Sequence, residues 1–117
     1  MNLDSAIFYS HDIQKVIPFY LDILGFTLDY QNERFVSFQF PNGAKLGIKN
    51  QTDEREQPGF QTVFIEVEGI EEVYRAIQGK GIQIYKELIE KPWGKEFSIL
   101  DPDENKVLYI ERIKEKS

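Results

Sequence analysis

His11 is the only histidine of this 117-residue chain, which has no cysteine, so it is the first candidate for a metal ligand or a general base. It lies beside Asp12, in a polar segment between an alternating apolar run and a helical pattern. A metal ion in a protein is held by three or four side chains, and a lone histidine supplies only one of them. We therefore interpret His11 as an exposed turn residue near a helix start, and we predict no catalytic residue in this chain.

Two carboxylates, Glu66 and Glu96, fall on predicted strands and could act together as an acid and base pair. Facing carboxylates more often form only the polar rim of a cavity, which is the interpretation we prefer. His11 has no serine at a spacing that indicates a Ser-His-Asp arrangement. Gly79-Lys80-Gly81 is better explained as the end of a helix than as a phosphate-binding loop.

Trp93 stands between Pro92 and Gly94, which places it in a loop at the entrance of a strand. A tryptophan there can stack on an aromatic or cationic ligand. It can equally seal the edge of the core, and the two roles are compatible.

The composition restricts the class of protein. A net charge of −6 argues against a nucleic-acid partner, because phosphates require clustered Lys and Arg, and it mildly favours a cationic ligand. No apolar run is long enough to span a membrane, and the N-terminus lacks the pattern of a signal peptide. Together with the absence of cysteine, this predicts a cytoplasmic protein with no membrane partner.

The same order of elements occurs twice along the chain. Each half begins with an alternating run, continues with a helical pattern that ends at a glycine, and closes with three strands, which gives β-α-β-β-β. We expect Asp12 to cap the first helix, and Pro18 either to delay its regular part or to kink it. The predicted strands after the two helices are 26–30, 34–40 and 45–49 in the first half, and 82–87, 96–100 and 106–111 in the second.

These patterns predict an α+β fold in which two tandem βαβββ modules form one curved, mixed, eight-stranded sheet around a cavity. The first module spans residues 1–50, a polar linker spans 51–59, and the second module spans 60–117, as one structural domain overall. Strand alternation then separates helix-facing from inward-facing side chains. The phase of the third strand stays open, so either Phe35 or Phe38 faces the cavity.

Three segments resemble one protein family. Residues 19–26 read FYLDILGF, residues 92–97 read PWGKEF, and residues 101–105 read DPDEN. They are similar to the FYxxxLGF, PWG(R/K)EF and DPDGN segments of the glyoxalase/bleomycin resistance/extradiol dioxygenase superfamily, also called vicinal oxygen chelate proteins. The match covers nearly the whole chain in order, although Glu104 replaces the glycine of the last segment, and it indicates the bleomycin-resistance branch.

In the metal-dependent members of that superfamily, the resemblance implies His, Glu or Gln at four inward positions. The corresponding residues here are Ser5, Gly47, Thr62 and Leu108. None of them is a usual ligand for Zn, Mn, Ni or Fe, and two have no coordinating atom. We therefore predict no metal and no cofactor.

For the bleomycin-resistance branch, the resemblance implies a homodimer that sequesters a cationic, aromatic drug. The leading hypothesis is a metal-free protein that binds a small molecule, such as an antibiotic or an aromatic or cationic metabolite, without catalysis. A metal-dependent glyoxalase-type lyase or dioxygenase is the alternative, and a degenerate member that serves as an interaction module is a third. The predicted ligand-binding residues are Tyr9, Phe38, Phe64, Glu66, Trp93, Glu96, Leu108 and Ile110.

Overall fold

The computed structural model describes residues 5–41 and 43–113, except for the side chain of Ser5. The chain divides into two compact units. Unit 1 comprises Met1–Gln61 and Asp101–Asn105, and unit 2 comprises Thr62–Leu100 and Lys106–Ser117. Residues 51–59, the predicted linker, form neither helix nor strand and group with unit 1. The predicted turn at 41–43 includes Asn42, which lies outside the described residues.

Unit 1 contains one four-stranded sheet and one helix. The strand order is β1-β4-β3-β2, in which β1 is parallel to β4 and the other neighbours are antiparallel. The helix continues without a break into a π-helical turn, Phe19–Ile23. The elements are β1 (Ser5–Ser10), α1 (Ile13–Pro18), β2 (Thr27–Gln31), β3 (Phe35–Gln39) and β4 (Lys45–Asn50).

The first helix begins where its capping residue predicts. The Asp12 side chain accepts a hydrogen bond from the backbone N–H of Gln14 at 3.0 Å, which confirms Asp12 as the N-cap. Pro18 ends the regular α-helix, because proline has no N–H to donate to the preceding turn. The chain then winds into the wider π-helical turn, and Gly25 leaves it with φ of 72°.

One face of this sheet is packed against the helix. Phe8, Leu46 and Ile48 project toward it and are almost fully buried. The ring of Tyr20 meets that of Phe38, with 5.6 Å between centroids. The core of unit 1 is therefore the helix-facing side of the sheet, and the other side is left to position polar and aromatic groups.

Unit 2 repeats this architecture. Its strand order is β5-β8-β7-β6, with β5 parallel to β8 and the other neighbours antiparallel. Between the helix and the sheet, the ring of Tyr74 meets that of Phe97 edge-on, and Phe97 stacks on Tyr109. The elements are β5 (Thr62–Glu66), α2 (Ile70–Gly79), β6 (Ile84–Lys91), β7 (Gly94–Leu100) and β8 (Lys106–Arg112).

Two contacts fix the ends of these elements. The Glu111 carboxylate accepts hydrogen bonds from the backbone N–H groups of Gly69 and Ile70, at 2.8 and 3.2 Å, and so caps the start of α2. These bonds lower the pKa of Glu111. Gly94 opens β7 with φ of 155°, and a Cβ there would lie 2.0 Å from the carbonyl oxygen of Glu111. A glycine is therefore required where β7 passes this close to β8.

The predicted β-α-β-β-β order is confirmed in both halves. The hydrogen bonds differ from the prediction in one respect, because the described residues form two four-stranded sheets instead of one sheet of eight. Each sheet is completed by the parallel pairing of the first and last strands of its own module, β1 with β4 and β5 with β8. Within the described part of the chain, no helix has the length and apolar character that a membrane span requires.

Candidate functional site

In each unit the sheet has a second face that points away from the helix, which we call the helix-free face. In unit 1 this face carries Ile7 and Tyr9 from β1, Lys45, Gly47 and Lys49 from β4, and Phe35 and Ser37 from β3. Tyr9 is partly buried and Ile7 is half exposed. The predicted inward positions of β1 and β4 thus lie together on one face, except that the side chain of Ser5 is outside the described residues.

In the third strand, β3, Phe38 faces the helix and not the predicted binding site. Phe38 is fully buried on the helix side, against Tyr20 and Phe26, so the expectation that it contacts a ligand is wrong. Its backbone partner is Leu46, which is also buried on that side. Phe35 is three residues earlier and therefore lies on the helix-free face.

The ring of Phe35 packs on the one glycine of β4. A Cβ built on Gly47 would lie 2.9 Å from two ring carbons of Phe35, Cε2 and Cζ, and 3.7 Å from Cγ1 of Ile7. The ring therefore occupies the space that any longer side chain at position 47 would enter.

This packing bears on the four positions at which the family resemblance places metal ligands. Gly47 and Leu108 carry no coordinating atom, and Thr62 offers only a hydroxyl. Among residues 5–41 and 43–113, no group of three or more His, Cys, Asp and Glu side chains could hold a metal ion. The described residues therefore do not fit a transition-metal site, and we derive no step that uses a metal.

Two ion pairs neutralise the lysines of the helix-free face of unit 1. Lys45 pairs with Asp29 at 3.3 Å, and Asp29 also accepts a hydrogen bond from the hydroxyl of Ser37 at 2.8 Å. The Ser37 hydrogen bond, followed by Lys45, lowers the pKa of Asp29. Lys49 pairs with Glu56 of the 51–59 segment, and this contact raises the pKa of Lys49.

The helix-free face of unit 2 holds most of the other predicted site residues. Phe64 is 65% exposed, Leu108 is partly buried, and Ile110 is only 6% exposed. Ile110 pairs in register with Glu66 on one side and Glu96 on the other. The backbones of the two glutamates therefore stand about 10 Å apart across β8, from a strand spacing of about 4.8 Å.

A cleft of about 340 Å³ lies in unit 2, where β5 and β8 end. Its acidic side chains outnumber its basic ones by three to one, and one of them, Glu66, forms an ion pair of 3.5 Å with Arg112. Its two apolar residues, Val67 and Ile113, supply apolar surface of the kind against which small ligands are buried. The lining residues are Glu66, Val67, Glu68, Glu111, Arg112 and Ile113.

Trp93 lies beside this cleft. It occupies the turn between β6 and β7, and its carbonyl oxygen accepts a hydrogen bond from the N–H of Ile113, a cleft residue, at 2.9 Å. Its side chain is 42% exposed. The backbone of Trp93 is therefore paired with a residue of the cleft that Glu66 also lines.

His11 is exposed and belongs to a different network. Its backbone N–H donates to Asp103 at 3.1 Å, and the Ser10 hydroxyl donates to the same carboxylate at 2.5 Å. This placement agrees with a turn residue. Sequence reasoning missed Arg112, Asp29 and the Lys49–Glu56 pair, although the strand phase that exposes Lys45 and Lys49 could have identified both lysines as surface groups.

Comparisons with known proteins agree with this architecture. The family model of the Glyoxalase/Bleomycin resistance protein/Dioxygenase superfamily matches residues 2–109. A bleomycin resistance protein of Geobacillus stearothermophilus is 31% identical over 121 residues, which cover 88% of this chain and 91% of the relative. A bleomycin resistance protein of Staphylococcus aureus is similar to the same extent.

Solved structures show the same fold. A superfamily member from Sphaerobacter thermophilus superposes with a TM-score of 0.82 at 23% identity, covering 96% of this chain and 98% of the other. An antibiotic binding protein from a Streptomyces species gives a TM-score of 0.79 at 19% identity, with 97% of each chain covered. From the family match and the 31% identical relatives, the chain belongs to the glyoxalase/bleomycin resistance protein/dioxygenase superfamily.

Proposed function

We propose that this chain binds a small organic molecule without a metal ion and sequesters it without chemical change, as a bleomycin resistance protein would. The observation that carries the proposal is the acidic cleft of unit 2 with Trp93 beside it. The proposed ligand-contacting residues are Tyr9, Phe35, Phe64, Glu66, Trp93, Glu96, Leu108 and Ile110, in which Phe35 replaces Phe38.

The chemistry of the cleft favours a cationic ligand that has an aromatic part. Three carboxylates against one guanidinium leave an excess of negative charge, in a chain whose net charge is already −6. The exposed indole ring of Trp93 is suited to stacking on a planar group or on a cation. The relatives named for bleomycin resistance support an antibiotic as the ligand.

The proposal that binding needs no metal rests on the residues at the four family positions. Ligand side chains are absent at Gly47 and Leu108, and the Phe35 ring fills the space next to Gly47. No observation favours the metal-dependent lyase or dioxygenase, so we do not propose that function.

A thermal-shift titration tests the proposal. Metal-free bleomycin added at a hundredfold excess over its dissociation constant should stabilise the folded chain by about 2.7 kcal/mol and raise Tm. Trp93→Ala should reduce the shift, whereas Phe60→Ala, which removes an aromatic ring that is 82% exposed, serves as the matched control. An absent shift contradicts the proposal, and so does chromatographic evidence that bleomycin is chemically converted.

We also propose a cytoplasmic homodimer. Phe64 and Ile113 are 65% and 63% exposed in the single chain, and apolar area of this kind is commonly covered by a second subunit. Light scattering on an eluting peak should give twice the chain mass of 13.7 kDa. A mass of one chain at micromolar concentration contradicts the dimer.

A further inference from the structure

Residues 51–57 form an exposed loop that is folded mainly upon itself. The N–H of Arg55 donates to the Asp53 carboxylate at 2.8 Å, and the N–H of Glu56 donates to the Asp53 carbonyl at 3.2 Å. The side chain of Gln57 donates to the carbonyl of Glu54. These bonds keep the loop compact but do not attach it to the sheet.

The loop starts at Gln51, whose N–H donates to the carbonyl of Ser10 on β1 at 2.9 Å, and beyond that residue its attachment to the sheet is made at one atom. Lys49 Nζ forms the ion pair with Glu56 and a hydrogen bond of 3.3 Å to Thr52 Oγ1. The other carboxylate oxygen of Glu56 accepts from the N–H and the hydroxyl of Thr52, at 2.8 and 2.7 Å. Of the hydrogen bonds described for residues 52–57, those that reach the sheet end on Lys49 Nζ.

The attachment point lies at the proposed ligand-contacting residues of unit 1. Tyr9 on β1 and Phe35 on β3 are the backbone partners of Lys49, so the two rings flank it on the helix-free face. Glu56 is partly buried, with 15% of its side chain accessible, whereas Thr52, Asp53, Glu54, Arg55 and Gln57 are exposed. The loop thus closes over the Lys49 end of this face through Glu56.

We propose that residues 51–57 are a strap, latched by Glu56 on Lys49, that must open before a ligand reaches Tyr9 and Phe35. This inference rests on the proposed function, and it names how access to the same residues is controlled. A closed strap lowers the apparent affinity by the fraction of molecules in which it is open. An ion pair of this exposure holds such an equilibrium by a factor of roughly two to five.

The experiment breaks the latch without altering the strap. Lys49→Met removes the anchor and leaves residues 51–57 unchanged. Lys45→Met is the matched control, because it removes another lysine of the same strand and face, whose partner Asp29 is outside the strap. Trypsin cleavage after Arg55, whose side chain is 93% exposed, reports opening, and bleomycin titration reports access.

We expect Lys49→Met to speed cleavage after Arg55 and to tighten bleomycin binding, each by about twofold to fivefold. Lys45→Met should do neither, and Glu56→Gln should reproduce the gain in affinity. Cleavage at the wild-type rate in Lys49→Met would overturn the latch. If cleavage is faster but bleomycin binding is unchanged or weaker in both Lys49→Met and Glu56→Gln, the strap does not control access, and only this inference is overturned. If no variant binds bleomycin, the proposed function is overturned together with this inference.

Discussion

Replacing Asp101 by alanine should destabilise the chain more than any single change at its partners. The Asp101 carboxylate accepts from the Tyr20 hydroxyl at 2.7 Å, from the N–H groups of Asp103 and Asn105 at 2.8 Å each, and from the Asn105 side chain at 3.2 Å. Tyr20 and Asn105 have no exposed area, so their donors would lose a partner without gaining water. At about 1 kcal/mol for each of these three buried donors, one on Tyr20 and two on Asn105, the cost of Asp101→Ala is about 3 kcal/mol.

The cost of burying the Asp101 carboxylate offsets part of the stability that these hydrogen bonds provide. Desolvation raises the pKa of Asp101 above its ordinary value of 3.8, in spite of the four hydrogen bonds. The folded chain therefore binds this proton more readily than the unfolded chain, and the contribution of Asp101 to stability falls as pH rises through the raised folded pKa. The value of about 1 kcal/mol for each donor is accordingly the lower end of the usual range of about 1–3 kcal/mol.

Urea denaturation followed by circular dichroism measures the effect, with an unchanged m-value as the condition for comparison. Tyr20→Phe is the control, because it removes one donor and leaves Asp101 with its other partners, at a cost of about 1 kcal/mol. If Asp101→Ala costs no more than Tyr20→Phe, the carboxylate does not organise the turn and the reasoning is refuted.

Three further changes test separate features. The hydrogen bond from Lys49 is the largest of the contacts that lower the pKa of Glu56, which falls to about 2. The Glu56 carboxylate should therefore contribute its full stabilisation above the ordinary pKa of 4.5 and lose it toward pH 2. Glu56→Gln should flatten the fall of Tm with acid, as measured by thermal unfolding at a series of pH values. Gly94→Ala should cost more than about 1 kcal/mol in urea denaturation, whereas Gly79→Ala, in a helix with open space around it, should be neutral or slightly stabilising, and equal effects would contradict the backbone argument. Phe38→Ala should cost about 3–5 kcal/mol and leave bleomycin affinity per folded molecule unchanged, and weaker binding would restore Phe38 to the site.

The order of the elements could be predicted because each depends on local patterns. Asp12 caps the first helix through residues next to it in sequence, and Gly25 and Gly81 have positive φ where helices were predicted to stop. The π-helical turn after Pro18 could not be predicted, because loss of one donor permits either a delayed start or a change of winding.

The sequence could not predict which residues of the third strand face the helix. Aromatic residues stand at positions of both parities, Phe35 and Phe38, so alternation alone assigns neither to a face. The choice depends on Tyr20, which reaches Phe38 from the helix. The contact between Tyr20 and Asp101 spans 81 residues and leaves no local signal.

For the candidate-site residues that lie on strands, the sequence could predict the face of the sheet on which each one stands. Glu66, Leu108 and Ile110 lie on the predicted face of unit 2, whereas the closeness of Trp93 to the cleft depends on the pairing of its carbonyl with Ile113. Which of these residues contact a ligand stays a prediction.

The central claim is that the chain binds its ligand without a metal ion. The most direct test is calorimetric titration of metal-free bleomycin into protein purified without an affinity tag, with elemental analysis of the same sample. The account predicts saturable binding by protein that carries no stoichiometric transition metal. A full equivalent of bound metal per chain, or binding that disappears when the protein is dialysed against a chelator, would contradict it.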